Sequence, residues 1–266
     1  MADFVVPKVY NVGVVGSSAG VYGKLPAHGD FIQRNLSASF VKPWDEWLQH
    51  FVAGAKEKIG ADWLDIYLTS PIWRFALSHG AVDDACWAGV LMPSVDLVGR
   101  YFPFTVALRI PDGVNPFEFL DSQSAWYTRV EELALGALNG DMSLDDLVDA
   151  LADVELSVAA VYTATGARLD AYCMQVETAA AAPAPASVYS CMLDALLVQL
   201  LRSYSLWSTT GSERVAPCVF DVPGLPPVSK LPAMLDGDWQ RWGWEQPYAP
   251  RAEGVESNMR IDGVSQ

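Results

Sequence analysis

Three segments decide the fold: Ile72-Trp73-Arg74-Phe75-Ala76-Leu77, Cys86-Trp87-Ala88-Gly89-Val90-Leu91-Met92, and Phe102-Pro103-Phe104-Thr105-Val106-Ala107-Leu108-Arg109-Ile110. The first alternates and runs into the turn His79-Gly80; Pro93 stops the second. The third is dense in β-branched and aromatic residues and ends at Pro111-Asp112-Gly113. Such runs, bounded by turn formers, read as strands. Their connections are too short for crossover helices, so the segments predict an antiparallel meander.

Helical periods flank this block. Ser37 or Ser39 can cap a helix in which Pro43 fits an early position. Trp44, Trp47, Leu48 and Phe51 keep a 3–4 spacing, and Gly60 ends the run just after Lys56 and Lys58. From Pro116 the period is helical again, with Trp126, Val130, Leu133 and Leu138 marking a long amphipathic helix that ends at Asn139-Gly140. Ser143 and Asp146 form a capping box ahead of Leu144, Leu147, Val148 and Leu151. Val158–Tyr162 and Leu169–Val176 read as strands or buried segments. Ala179–Ala186, with Pro183 and Pro185, reads as a loop between halves. Val188–Leu201 is apolar on most sides and predicts a helix buried in the core. Tyr204–Thr209 and Val219–Val222 read as further strands, and Met234-Leu235-Asp236-Gly237 as a short turn.

The expected fold is α/β (α+β): a mainly antiparallel or mixed central sheet flanked by helices, in one compact unit. Residues 1–20 read as an N-terminal extension, in which Val12-Gly13-Val14-Val15-Gly16 is a short strand or part of an added leader. The domain spans 21–244, with possible halves 21–155 and 156–244. Residues 245–266 form an irregular tail, expected to be mobile from about Glu253 onward.

Composition excludes several classes. The chain carries a net charge of −15, and Lys56 and Lys58 alternate with Glu57 rather than forming a basic run. A surface this acidic repels phosphate backbones and anionic membranes, so neither nucleic-acid binding nor membrane insertion is expected. Pro7, Lys8 and Asn11 interrupt the apolar N-terminus, so no signal peptide is read. Asp194 and Gln199 break Leu193–Leu201, which is too short to span a bilayer. A cytoplasmic location follows. Cys86, Cys173, Cys191 and Cys218 sit beside apolar neighbours without CxxC pairing, which reads as buried free thiols and no metal site. No cofactor is implied.

Catalytic constellations are weak. Gly16–Leu25 resembles a phosphate-binding loop, but Ser18 stands where the first glycine belongs, Leu25 replaces Ser/Thr, and Pro26 blocks the helix. His28, His50 and His79 are the histidines available as a base, and no G-x-S-x-G elbow exists. Asp83-Asp84 and Asp145-Asp146 suit turns and helix starts, and Glu131-Glu132 reads as a solvated helix face. What remains is a polar set among aromatics: Lys24, Asp30, Trp73, Arg74, Ser94, Asp96, Gly99 and Arg100. Facing inward from an apolar strand, Arg74 needs a carboxylate, which Asp96 or Asp30 could supply. The set serves either as an ion-pair network joining loops to sheet or as a partner-binding surface anchored by Trp and Arg.

These residues carry a resemblance. Gly23-Lys24-Leu25-Pro26-Ala27-His28-Gly29-Asp30-Phe31, Ser70-Pro71-Ile72-Trp73-Arg74-Phe75 and Pro93-Ser94-Val95-Asp96-Leu97-Val98-Gly99-Arg100-Tyr101-Phe102-Pro103-Phe104-Thr105 resemble, in order and spacing, the motifs of the TagF (ImpM) family. Ser205–Gly211 and Leu235-Asp236-Gly237 resemble weaker features of that family, though Ser208 replaces an expected aromatic. The resemblance implies a compact α/β domain acting as a post-translational repressor of type VI secretion. It would bind a forkhead-associated scaffold protein through the loops around Lys24–Asp30 and Asp96–Arg100, with Lys24 and Arg100 paired to acidic groups and Trp73 as packing support. It implies no enzymatic activity. The alternative is an enzyme that binds a nucleotide or small molecule through the Gly-rich segment 13–24, with Lys24 on phosphate. A third possibility is that the motif residues only hold the fold, while a variable acidic surface binds.

Overall fold

The computed structural model describes residues 10–11, 18–156, 159–160 and 186–245. Its strands are β1 (Tyr10–Asn11), β2 (Gly20–Gly23), β3 (Ile32–Arg34), β4 (Trp73–Leu77), β5 (Trp87–Met92), β6 (Phe104–Arg109), β7 (Ala159–Ala160), β8 (Tyr204–Thr209) and β9 (Cys218–Pro223). Its helices are α1 (Ala38–Ile59), α2 (Trp63–Leu68), α3 (Pro116–Ser122), α4 (Ser124–Asn139), α5 (Leu144–Ala152), α6 (Ala186–Leu201) and α7 (Ala233–Asp236). Seven strands form one sheet in the order β3-β2-β6-β5-β4-β8-β9, and every pairing in it is antiparallel. The predicted meander is its centre: β4 pairs β5, and β5 pairs β6. β1 and β7 make a separate two-stranded pair.

Strand alternation sorts the core into two layers. On one face Trp73, Phe75 and Leu77 meet Trp44, Trp47 and Phe51 of α1 and Trp63 and Tyr67 of α2, an aromatic layer. Trp44 is fully buried, and its indole N–H donates to Thr105 at 3.0 Å. Its ring lies 4.9 Å from Phe75 and 5.0 Å from Trp47; such pairs contribute about 0.5–1.5 kcal/mol each beyond burial. Gly89 makes room for this layer, since a Cβ there would stand 2.6 Å from the Phe75 ring. On the other face Val90, Met92, Phe104 and Val106 meet Val130, Leu133, Leu147 and Leu151 of α4 and α5, an aliphatic layer.

Local signals explain the helix ends. Ser37 accepts the Phe40 N–H and starts α1, Gly60 ends it, and Ser143 and Asp146 form the capping box of α5. Pro43 lies in the second turn of α1 rather than at its start, so the helix forgoes the bond that position would give to the Ser39 carbonyl. Met234-Leu235-Asp236, predicted as a turn, belongs to α7, capped by Gly237.

Two burial expectations are overturned. α6 is not a core helix: Tyr189, Met192, Leu193, Leu196, Val198 and Leu200 are exposed. Among the described residues it packs chiefly on α3 and β8, where Asp194 accepts the Tyr204 hydroxyl at 2.6 Å. Apolar composition on every side reports hydrophobicity but not how many neighbours the sheet supplies. Cys86, Cys191 and Cys218 are free thiols but half-buried rather than buried. Cys173, Leu169–Val176, the 179–185 stretch, most of the predicted N-terminal extension and residues 246–266 lie outside the described residues.

Candidate functional site

The link from β5 to β6 is a hairpin whose shape follows from a few hydrogen bonds. Val95 bridges Tyr101, the Asp96 N–H donates to the Arg100 carbonyl at 3.0 Å, and the Gly99 N–H donates to the Asp96 carbonyl at 3.0 Å. Gly99 has φ +84°, a conformation that glycine enters without a Cβ clash. The turn therefore places Leu97 and Val98 at its tip, each 67% exposed.

Asp96 holds this turn from beneath. Its side chain is fully buried, and Oδ2 accepts Lys24 Nζ and Arg100 Nε, each at 2.7 Å. Its Oδ1 accepts the backbone N–H groups of Val98 at 3.0 Å and Arg100 at 2.8 Å. Withdrawal from water pushes the Asp96 carboxyl upward, but Lys24, Arg100 and the two amides outweigh it and hold it well below the usual carboxylate range. Lys24, at 5% exposure, is spent on this contact.

The neighbouring loop is tied to the same hub. Arg100 donates to the Gly29 carbonyl and reaches Asp30 at 3.9 Å, a loose pair between exposed groups. The Leu97 N–H donates to the His28 carbonyl at 2.9 Å. Ser94 Oγ donates to the Lys24 carbonyl at 2.6 Å, while the Ser94 N–H donates to the Tyr67 hydroxyl at 3.0 Å. Lys24, Asp30, Ser94, Asp96, Gly99 and Arg100 thus come together in space.

Trp73 and Arg74 do not join them. Trp73 packs in the aromatic layer and donates its indole N–H to the Met234 carbonyl at 3.0 Å. Arg74, one residue on, leaves from the opposite face. Its partner is neither Asp96 nor Asp30 but Glu131 of α4, held through two bonds of 2.6 and 2.8 Å, with Thr128 at 3.2 Å. The hydrogen bond to Glu131 raises the Arg74 pKa above its ordinary value, against the pull of burial. Glu131, expected to be solvated, is 19% exposed at its side chain. Helical spacing could not show which turn of α4 meets β4.

Leu97, Val98, Phe31 and Tyr67 join this loop cluster outside the expected polar set, although Leu97 and Val98 lie within the expected Asp96–Arg100 loop. A sequence signal did exist for the tip: two apolar residues stand between Asp96 and Gly99, where turns are usually polar. The phosphate-loop reading fails locally, because Gly20–Gly23 is a strand bonded on both edges to β3 and β6. Among the described residues, no group of three or more His, Cys, Asp or Glu could hold a metal ion, and no helix is long and apolar enough to cross a membrane.

An antiparallel sheet with helices on both faces, carrying most of its polar motif residues in the loops between strands, defines an α/β domain whose buried motif charges are paired internally. Residues 20–154 match the TagF N-terminal domain, described as type VI secretion system-associated. The crystal structure of PA0076 from Pseudomonas aeruginosa PAO1 is similar, with a TM-score of 0.71 and 34% identity over 88% of this chain and 99% of that one. No curated protein matches. The chain belongs to the TagF family of type VI secretion system-associated proteins.

Proposed function

We propose that this chain is a cytoplasmic, non-enzymatic repressor of type VI secretion assembly that acts by binding a forkhead-associated scaffold protein. The observation that carries the reading is the hairpin tip. Leu97 and Val98 stand in solvent on a turn fixed by a fully buried carboxylate. Exposed apolar side chains on a preorganised turn can bind with little ordering cost, which is how anchor residues work. Phe31, 50% exposed, and Arg100 extend the surface. Lys24, Ser94 and Asp96 position this surface without touching the partner. Family membership supports the secretion setting.

Co-purification of the chain with the forkhead-associated scaffold of its own secretion cluster, followed by calorimetry, tests the reading. Saturable heat with the wild type is expected. A folded chain and folded scaffold that give no heat would send the mechanism to another component of the apparatus.

A further inference from the structure

An open groove of about 580 Å³ runs between β3 and α1, and none of the motif charges lies in it. Tyr22, Phe31 and Gln33 line the sheet side; Val41, Asp45 and Glu46 line the helix side. We infer that this groove binds a basic side chain, Arg or Lys, carried on an extended segment of a protein partner. The inference rests on the groove itself, which shares Phe31 with the surface proposed around the hairpin but none of its other residues.

Three features point to that occupant. The first is charge. Asp45 accepts the Tyr22 hydroxyl at 2.5 Å on one oxygen and Gln49 Nε2 at 2.6 Å on the other, both neutral donors that fix the carboxylate and leave its charge in place. Glu46 is exposed and has no partner among the described residues. Lys42 also lines the groove, and the Lys24 ammonium stands 4.9 Å from the Phe31 ring centroid, but Lys24 is neutralised by Asp96. Two carboxylates therefore face one ammonium unpaired among the described residues, and the balance is negative. Arg34 follows on β3, but alternation sends its side chain away from Gln33, and it donates to the Gln33 carbonyl at 2.9 Å.

The second feature is the wall. The Tyr22 and Phe31 rings stack with centroids 6.0 Å apart, and Phe31 is half exposed. An apolar aromatic wall ending at carboxylates matches a side chain with a methylene stem and a cationic head. The third feature is the edge. β3 is a terminal strand of the sheet. An extended segment added there would send alternate side chains toward α1, the geometry of strand addition.

The test is an NMR titration of the full chain with the peptide acetyl-Leu-Arg-Leu-amide, beside the same peptide carrying neutral citrulline in place of Arg. Saturable shifts are expected at the amides of Phe31, Gln33, Val41 and Glu46 with the arginine peptide and far smaller ones with citrulline. Glu46→Gln touches no described partner and should fold as wild type; Asp45→Asn keeps an acceptor for Tyr22. Each should weaken apparent binding roughly three- to tenfold. The inference is overturned if no saturable shift occurs at these amides, if citrulline matches arginine, or if both variants titrate like the wild type.

Discussion

Two ion-pair clusters, each built on a charged motif residue, do different work. Asp96 is buried under a turn and takes four donors, two of them backbone amides. Arg74 and Glu131 keep 16% and 19% side-chain exposure and tie a strand to a helix. The first pair fixes a loop that ends in exposed Leu97 and Val98; the second fixes the packing of α4 on the sheet. A polar residue in an apolar motif therefore does not announce a contact surface. What matters is which element its bonds reach.

Removing Asp96 is the harshest way to break the comparison. Asp96→Ala leaves Lys24 buried without its carboxylate and the turn amides without an acceptor. It should lower the melting temperature by roughly 10 °C. A calorimetric scan that shows no loss would mean the hub is not what holds the hairpin. Arg74→Leu should be milder, at about 1–2 kcal/mol in denaturant unfolding, since water already screens part of that pair. It should leave scaffold binding unchanged, because its bonds reach only α4. A variant that unfolds like the wild type but loses the scaffold would reverse the roles assigned to the two pairs.

This division was partly legible beforehand. The meander and the capping box could be read, because turn formers and capping residues act locally. The polar set could be named but not its pairing, since Asp96 was matched to Arg74 and takes Lys24 and Arg100 instead. Arg74 was assigned to the wrong carboxylate because its partner is set by how α4 docks on β4, which no local spacing encodes. α6 was placed in the core for a related reason: its composition is apolar, while the number of elements packed on it is a tertiary fact. Trp73, expected as packing support, lies in the aromatic layer, while Arg74 beside it faces the opposite side of the sheet.

Acid pH sharpens the comparison further. Because the folded Asp96 carboxyl is held below its unfolded value of about 3.9, its contribution is fully present above that value and is lost as pH falls toward the folded one. Asp146, lowered by the Ser143 hydroxyl and N–H, acts in the same direction. Between about pH 5 and pH 2 the wild type should lose stability more steeply than Asp96→Asn, and equal slopes by denaturant titration would remove Asp96 from the acid response.

The smallest effect on folding should come from the tip itself. Leu97→Ser/Val98→Ser replaces side chains that stand in solvent, so its unfolding midpoint should stay within about 0.5 kcal/mol of wild type. The decisive measurement is calorimetric titration of this double variant with the forkhead-associated scaffold, run beside the wild type. The account predicts that the wild type binds and that the folded double variant binds at least about tenfold more weakly. Equal affinity for the two would contradict the claim that the clamped hairpin is the docking surface.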